Sequence, residues 1–199
     1  MIKNIIFDVG NVLLSYRWKY VYMCSGVDEE TADIIFNEMF GDELWDDLDS
    51  GKNDHYETKR LLMEKYPDHA HTIGYFMDHP ELMPLPREEV WKEVHRLKES
   101  GYNLYILSNY SHVMFTVHTK DRPFLEDIPE ENRVVSYRIN MIKPNHEIYN
   151  YLLEKYSLKA EECLFFDDRK DNTDGAIAVG MNACCVPTEE ILLEELKKL

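Results

Sequence analysis

Ile2-Lys3-Asn4-Ile5-Ile6-Phe7-Asp8-Val9-Gly10-Asn11-Val12-Leu13-Leu14 opens the chain, and its reading decides the fold. Ile5, Ile6 and Phe7 are consecutive rather than alternating, as in a central parallel strand covered on both faces. The run is interrupted once, by Asp8-Val9-Gly10-Asn11, where Gly10 and Asn11 suit a turn of unusual backbone geometry.

Outward from this strand, similar apolar runs recur at Tyr102–Leu107, Val134–Tyr137, Cys163–Phe166 and Ala183–Val186. Helical spacing fills the gaps. Arg87–Ser100 carries Val90, Val94 and Leu97 on one face and is ended by Gly101. A short helix is expected near Tyr110–His118, one begun by Pro144 runs to Tyr156, and others cover Asn172–Val179 and Glu189–Leu199. Strands alternating with helices predict an α/β fold, a Rossmann-like parallel sheet with helices on both faces. Residues 15–85 break the rhythm. They hold helical patterns at Asp28–Phe40, Asp54–Tyr66 and Ala70–Asp78 and no convincing strand. The expectation is a core domain from 1–14 and 86–199, with 15–85 inserted as a helical cap.

The 199 residues, 44% apolar and 30% charged, suffice for one α/β domain with such an insert. A net charge of -16 argues against nucleic acid and anionic membrane as partners. No run approaches the roughly 20 apolar residues that span a bilayer. Asp8 and Asn11 break the N-terminal run, so no signal peptide is read there. Cys24, Cys163, Cys184 and Cys185 lack metal-binding spacing and read as reduced thiols. The predicted location is cytoplasmic.

In parallel sheets, sites form beyond the carboxyl ends of the strands. There the sequence places Asp8, Ser108-Asn109, Asp167-Asp168 and, before Pro144, Lys143, with Asp171 and Asn172 following. Singly, each is also a common cap, turn or surface residue. Together they could hold an oxygen-seeking divalent cation such as Mg²⁺ and a phosphate.

These motifs are Phe7-Asp8-Val9-Gly10-Asn11-Val12, Leu107-Ser108-Asn109, Lys143-Pro144 and Phe166-Asp167-Asp168-Arg169-Lys170-Asp171-Asn172-Thr173-Asp174-Gly175-Ala176. In this order, the chain resembles the haloacid dehalogenase-like hydrolase superfamily over essentially its whole length, in the helical-cap branch. It is similar to the bacterial α-D-glucose-1-phosphate phosphatases there. The resemblance implies magnesium-dependent hydrolysis of small phosphate monoesters, sugar phosphates such as glucose 1-phosphate among them. It also implies that Asp8 is the nucleophile, forming an aspartyl-phosphate, and that Lys143 neutralises charge beside it. Ser108 and Asn109 would meet the phosphate. Asp8, the main-chain carbonyl of Gly10, Asp168 and Asn172 would hold the metal, with Asp167 and Asp171 as further contributors. A monomer or homodimer acting on a small molecule is expected.

Arg17 and Trp18, just past the nucleophile loop, are candidates to contact substrate, with packing of cap on core the plainer reading. Dehalogenation fits less well, since it leaves a cation cluster unexplained. One departure matters. Most phosphatases of the superfamily carry a second aspartate, the proton donor, two residues after the nucleophile; here that position is Gly10. This suggests either esters whose leaving group needs little protonation, or a non-catalytic protein that binds a phospho-ligand or partner. On the first view, Gly10→Asp should gain activity mainly on poor leaving groups.

Overall fold

The computed structural model describes all residues, Met1–Leu199. In chain order, β1 (Asn4–Phe7) and β2 (Leu14–Tyr16) precede five helices: α1 (Trp18–Cys24), α2 (Glu29–Phe40), α3 (Glu43–Asp49), α4 (His55–Lys65) and α5 (Ala70–Asp78). Then come β3 (Pro84–Pro86), α6 (Glu88–Glu99), β4 (Asn103–Ser108), α7 (His112–Thr119), α8 (Phe124–Asp127) and β5 (Arg133–Val135). The chain closes with α9 (His146–Lys155), β6 (Cys163–Asp167), α10 (Lys170–Ala178), β7 (Asn182–Cys185) and α11 (Glu189–Leu196).

Five strands form one parallel sheet in the order β5-β4-β1-β6-β7. β1 lies at its centre because both of its faces are apolar. Ile5 and Phe7 join the apolar cluster on one face, and Ile6 joins that on the other; all three are fully buried. Burial of each such side chain is worth about 1.5–3 kcal/mol. Phe7 pairs with Ile106 and with Phe166, so the three strands end level, and Asp8, Ser108 and Asp167 meet at one edge.

Several local expectations hold. Asp28 caps α2 by accepting from the Thr31 N–H at 2.8 Å. Val90, Val94 and Leu97 are the buried face of α6. Its end is a Schellman turn, with Gly101 at φ +91°, Gly101 N–H donating to Lys98 O and Tyr102 N–H to Leu97 O. Pro144 is a correction: it follows a cis bond after Lys143 and precedes α9, whose cap is Asn145. The strand expected at Val134–Tyr137 is β5, Arg133–Val135, and turns into a short 3₁₀ helix at Ser136.

Between β1 and α6 the chain leaves the sheet and returns along a two-stranded antiparallel ribbon, β2 with β3, pairing Ser15 with Leu85. The expectation of no strand within 15–85 missed these short segments at its edges. Arg87, nearly buried, fastens the ribbon: its guanidinium donates to Ser15 Oγ at 2.7 Å and to Asn11 O at 2.6 Å. Trp91 donates to Leu13 O at 2.6 Å. The five intervening helices stand over the sheet edge on an apolar cluster of 33 buried residues shared with one sheet face. No helix is long and apolar enough to cross a membrane. All four cysteines are free thiols.

Candidate active site

Asp8 emerges from β1 nearly buried, and its N–H extends the ladder to Phe166 O at 2.9 Å. Two donors converge on its Oδ1: Ser108 Oγ at 2.5 Å, from the end of β4, and Lys143 Nζ at 2.8 Å. Lys143 also donates to Asp167 Oδ2 at 2.6 Å. Asn109, expected at the phosphate, is instead committed to the Lys143 main chain. Its Nδ2 donates to Lys143 O at 2.9 Å and its Oδ1 accepts from Lys143 N–H at 2.8 Å. It lines the cleft, and both of its amide atoms are bonded to the Lys143 main chain.

The turn after Asp8 takes its unusual backbone at Asn11, as expected, and not at Gly10. Asn11, at φ +51°, takes the left-handed conformation. Its Oδ1 accepts from Tyr16 N–H at 3.1 Å, and its Nδ2 donates to Asp168 Oδ2 at 3.0 Å. Gly10 has a different cause: a Cβ there would lie 2.6 Å from Tyr16 Cε2 and 3.0 Å from the Tyr16 hydroxyl. The Tyr16 ring occupies the space that a side chain at position 10 would need.

Asp8, Asp167 and Asp168 each bring an oxygen within 4.8 Å of the others. Burial pushes the Asp8 carboxyl up to about 7 against the pull of Lys143, with Asp167 and Asp168 adding to the rise. Asp168 is also raised, chiefly by burial and against its bond to Asn11. Burial alone would lower the Lys143 ammonium, but Asp167 and Asp8 outweigh it and hold it above the ordinary lysine value. Three carboxylates facing one ammonium leave negative charge uncompensated in a mostly buried place.

Asn172 adds a second sign of a cation site. Its Nδ2 donates to both oxygens of Asp167, at 2.9 and 3.0 Å, while its own Oδ1 is buried without a partner. An orphaned carbonyl oxygen beside crowded carboxylates is a donor set suited to a hard divalent cation. Asp171 is exposed and outside this group.

Above Asp8 opens a cleft of about 740 Å³. Trp18 lines it, stacked on Phe36 at 3.9 Å, with Phe40 and Trp45 beyond. Arg17 does not. Its Nε donates to Leu82 O at 2.7 Å, and its guanidinium lies over the Tyr20 ring, because its main chain continues the ribbon. The expectation that Arg17 meets substrate is therefore corrected. Tyr16 lines the cleft beside Trp18; Tyr110, Asp46 and Asp49 line it too and were missed. The two aspartates sit in an acidic run whose composition resembles the rest of this acidic chain, so no sequence signal marks them.

A family model described as haloacid dehalogenase-like hydrolase matches residues 2–180. Sesquiterpene phosphatase astK of Aspergillus oryzae is 24% identical over 183 residues, covering 90% of this chain and 87% of the relative. Bifunctional epoxide hydrolase 2 of Mus musculus is 36% identical over 66 residues, 33% of this chain and only 12% of that protein. Among solved structures, the HAD family enzyme BT-2542 of Bacteroides thetaiotaomicron, in complex with magnesium and inorganic phosphate, superimposes with a TM-score of 0.69. It is 21% identical, and the match covers 92% of this chain and 93% of that one. With the parallel sheet, the level strand ends and the clustered carboxylates, this match over most of the chain means that the protein belongs to the haloacid dehalogenase-like hydrolase family.

Proposed function

We propose that this hydrolase cleaves small phosphate monoesters through a phospho-aspartate on Asp8, with magnesium as its metal. The observation that carries the reading is the convergence of Ser108 and Lys143 on one oxygen of a nearly buried carboxylate, at the floor of a cleft. A structural aspartate does not need both a lysine and a hydroxyl on the same oxygen beside two further carboxylates. Lys143 favours the ionised form of Asp8 against the effect of burial and offsets charge on the incoming phosphate. Asp8 attacks phosphorus, the ester P–O bond breaks with its electron pair going to the leaving oxygen, and water then cleaves the aspartyl-phosphate. Asp8, Asp168, Asn172 Oδ1 and the Gly10 carbonyl would hold the metal. Bound there, magnesium would offset the charge of the phosphate as a Lewis acid. The complex of BT-2542 with magnesium and inorganic phosphate supports this choice of ion.

The cleft presents aromatic faces and carboxyl groups to the organic part of the ester. Its deep cation, Lys143, is engaged by Asp8 and Asp167, while Asp46, Asp49 and Arg169 line the wall. Aromatic faces with carboxylates that accept hydroxyl hydrogen bonds suit a sugar monophosphate, glucose 1-phosphate included. The row Trp18, Phe36, Phe40 and Trp45 also favours a second reading, an isoprenoid monophosphate, and the likeness to a sesquiterpene phosphatase points the same way. The test is phosphate release from sugar, nucleoside and isoprenyl monophosphates, with and without Mg²⁺, beside Asp8→Asn. Magnesium-dependent release lost in Asp8→Asn is expected; release that survives Asp8→Asn refutes the reading.

A further inference from the structure

On the reading of Asp8 as nucleophile, the leaving oxygen needs a proton, and the sheet edge offers no free donor. Ser108 and Lys143 are bound to carboxylates, and Gly10 has no side chain. Tyr16 is committed elsewhere. His118 Nε2 faces Pro80 O at 2.9 Å and so must carry a proton, which leaves Nδ1 to accept from the Tyr110 hydroxyl at 3.1 Å. The Tyr110 oxygen then accepts from the Tyr16 hydroxyl, which points that proton into the buried chain.

We propose that Asp49, carried by α3, is the general acid and base of this site. As the ester bond breaks, its carboxyl gives a proton to the leaving oxygen. The resulting carboxylate takes a proton from the water that attacks phospho-Asp8, which restores the starting state. Asp49 lines the same cleft as Asp8. It is the last residue of α3, and that end is fastened to the core. Asp49 O accepts from Ser136 Oγ, which itself accepts from Tyr110 N–H at 2.9 Å, and Ser50 O accepts from Asn140 Nδ2 at 2.8 Å. The main chain that carries the carboxyl is thus fastened to the core.

The groups that face it come from two sides: Asp46 and Trp45 from its own helix, Asp8 and Lys143 from the sheet edge. It makes no ion pair of its own. Burial, with Asp46 and Asp8, pushes it up to about 7 against Lys143 and Trp45. A carboxyl that titrates near neutrality can both give and take a proton there.

The test compares Asp49→Asn and Asp49→Glu on two esters, p-nitrophenyl phosphate, whose leaving group needs no proton, and an alkyl phosphate from the substrate panel. Expected for Asp49→Asn is a loss of roughly 10²–10⁴-fold on the alkyl ester. The burst of p-nitrophenol should change by less than about tenfold, since only the later water step needs the base. The fall of alkyl-ester kcat/KM above about pH 7 should vanish in Asp49→Asn and return in Asp49→Glu. Equal losses in both first steps, or an unmoved alkaline limb, overturn the proposal while Asp8 chemistry stands. Wild-type activity that survives Asp8→Asn overturns both. Matching thermal melts of wild type and variants exclude misfolding as the cause.

Discussion

Replacing Gly10 by alanine adds one methyl group where Tyr16 already stands. The new Cβ would lie 2.6 Å from Tyr16 Cε2, and ordinary contact begins at 3.4 Å, so the ring must retreat by 0.8 Å. It has little freedom to do so. Its N–H is held by Asn11 Oδ1 at 3.1 Å, its hydroxyl by Tyr110, and Tyr110 in turn by His118. Overpacking of this kind costs about 1–3 kcal/mol. Because Gly10 is not in the left-handed region, alanine there carries no backbone strain. With the ring removed by Tyr16→Ala, the methyl group should instead stabilise by about 0.4–1 kcal/mol through the unfolded chain. The sign of the Gly10→Ala effect is therefore expected to reverse between the two backgrounds. Urea denaturation of the four proteins, with equal m values, measures it. The same cost in both backgrounds would refute the steric account of Gly10. It also follows that Gly10→Asp, expected from sequence to restore a proton donor, should be made in the Tyr16→Ala background.

Mg²⁺ should raise the melting temperature of the wild type but not of Asp168→Asn; at 100 times its Kd the ion would add about 2.7 kcal/mol. An equal shift in both proteins would remove Asp168 from the metal site. Buried His118 is held neutral, its pKa lowered by burial to about 4 from 6.5. The unfolded chain binds the extra proton between those values, so this histidine destabilises the fold as pH falls from about 6.5 to 4, by about 3 kcal/mol in all. The stability gap between wild type and His118→Asn should narrow by that amount over this window; a constant gap would show that His118 is not buried as neutral imidazole. Arg17→Ala should leave KM for the best ester within about twofold and cost about 1 kcal/mol of stability through the lost bond to Leu82 O. A large rise in KM would return Arg17 to the substrate.

What could be read in advance was what neighbouring residues determine. Ile5-Ile6-Phe7 needs both faces covered, Asp28 caps the helix that follows it, and Gly101 ends the helix before it. The residues at the strand ends could be named for the same reason, since level parallel strands bring Asp8, Ser108 and Asp167 together. What stayed hidden depends on long-range contact. Asn109 meets the Lys143 main chain 34 residues away, and Tyr16 covers Gly10 only after the chain has folded back. α1 and α3 are seven residues each, about two turns, too short for a 3.6-residue period to register. With α3 unread, nothing signalled that Asp49 lines the cleft with Asp8.

The knot at the ribbon defines a splice point. Arg87 and Trp91 grip the main chain of Asn11 and Leu13, so the strand that leaves the sheet and the helix that resumes it are joined without help from residues 17–83. The entropy of closing that long excursion is met at its base, and it grows only slowly with length. In the history of such a chain, the excursion is therefore a replaceable cassette subject to two demands. It must cover the apolar face beneath it, and it must return a side chain to the cleft for the reaction to use.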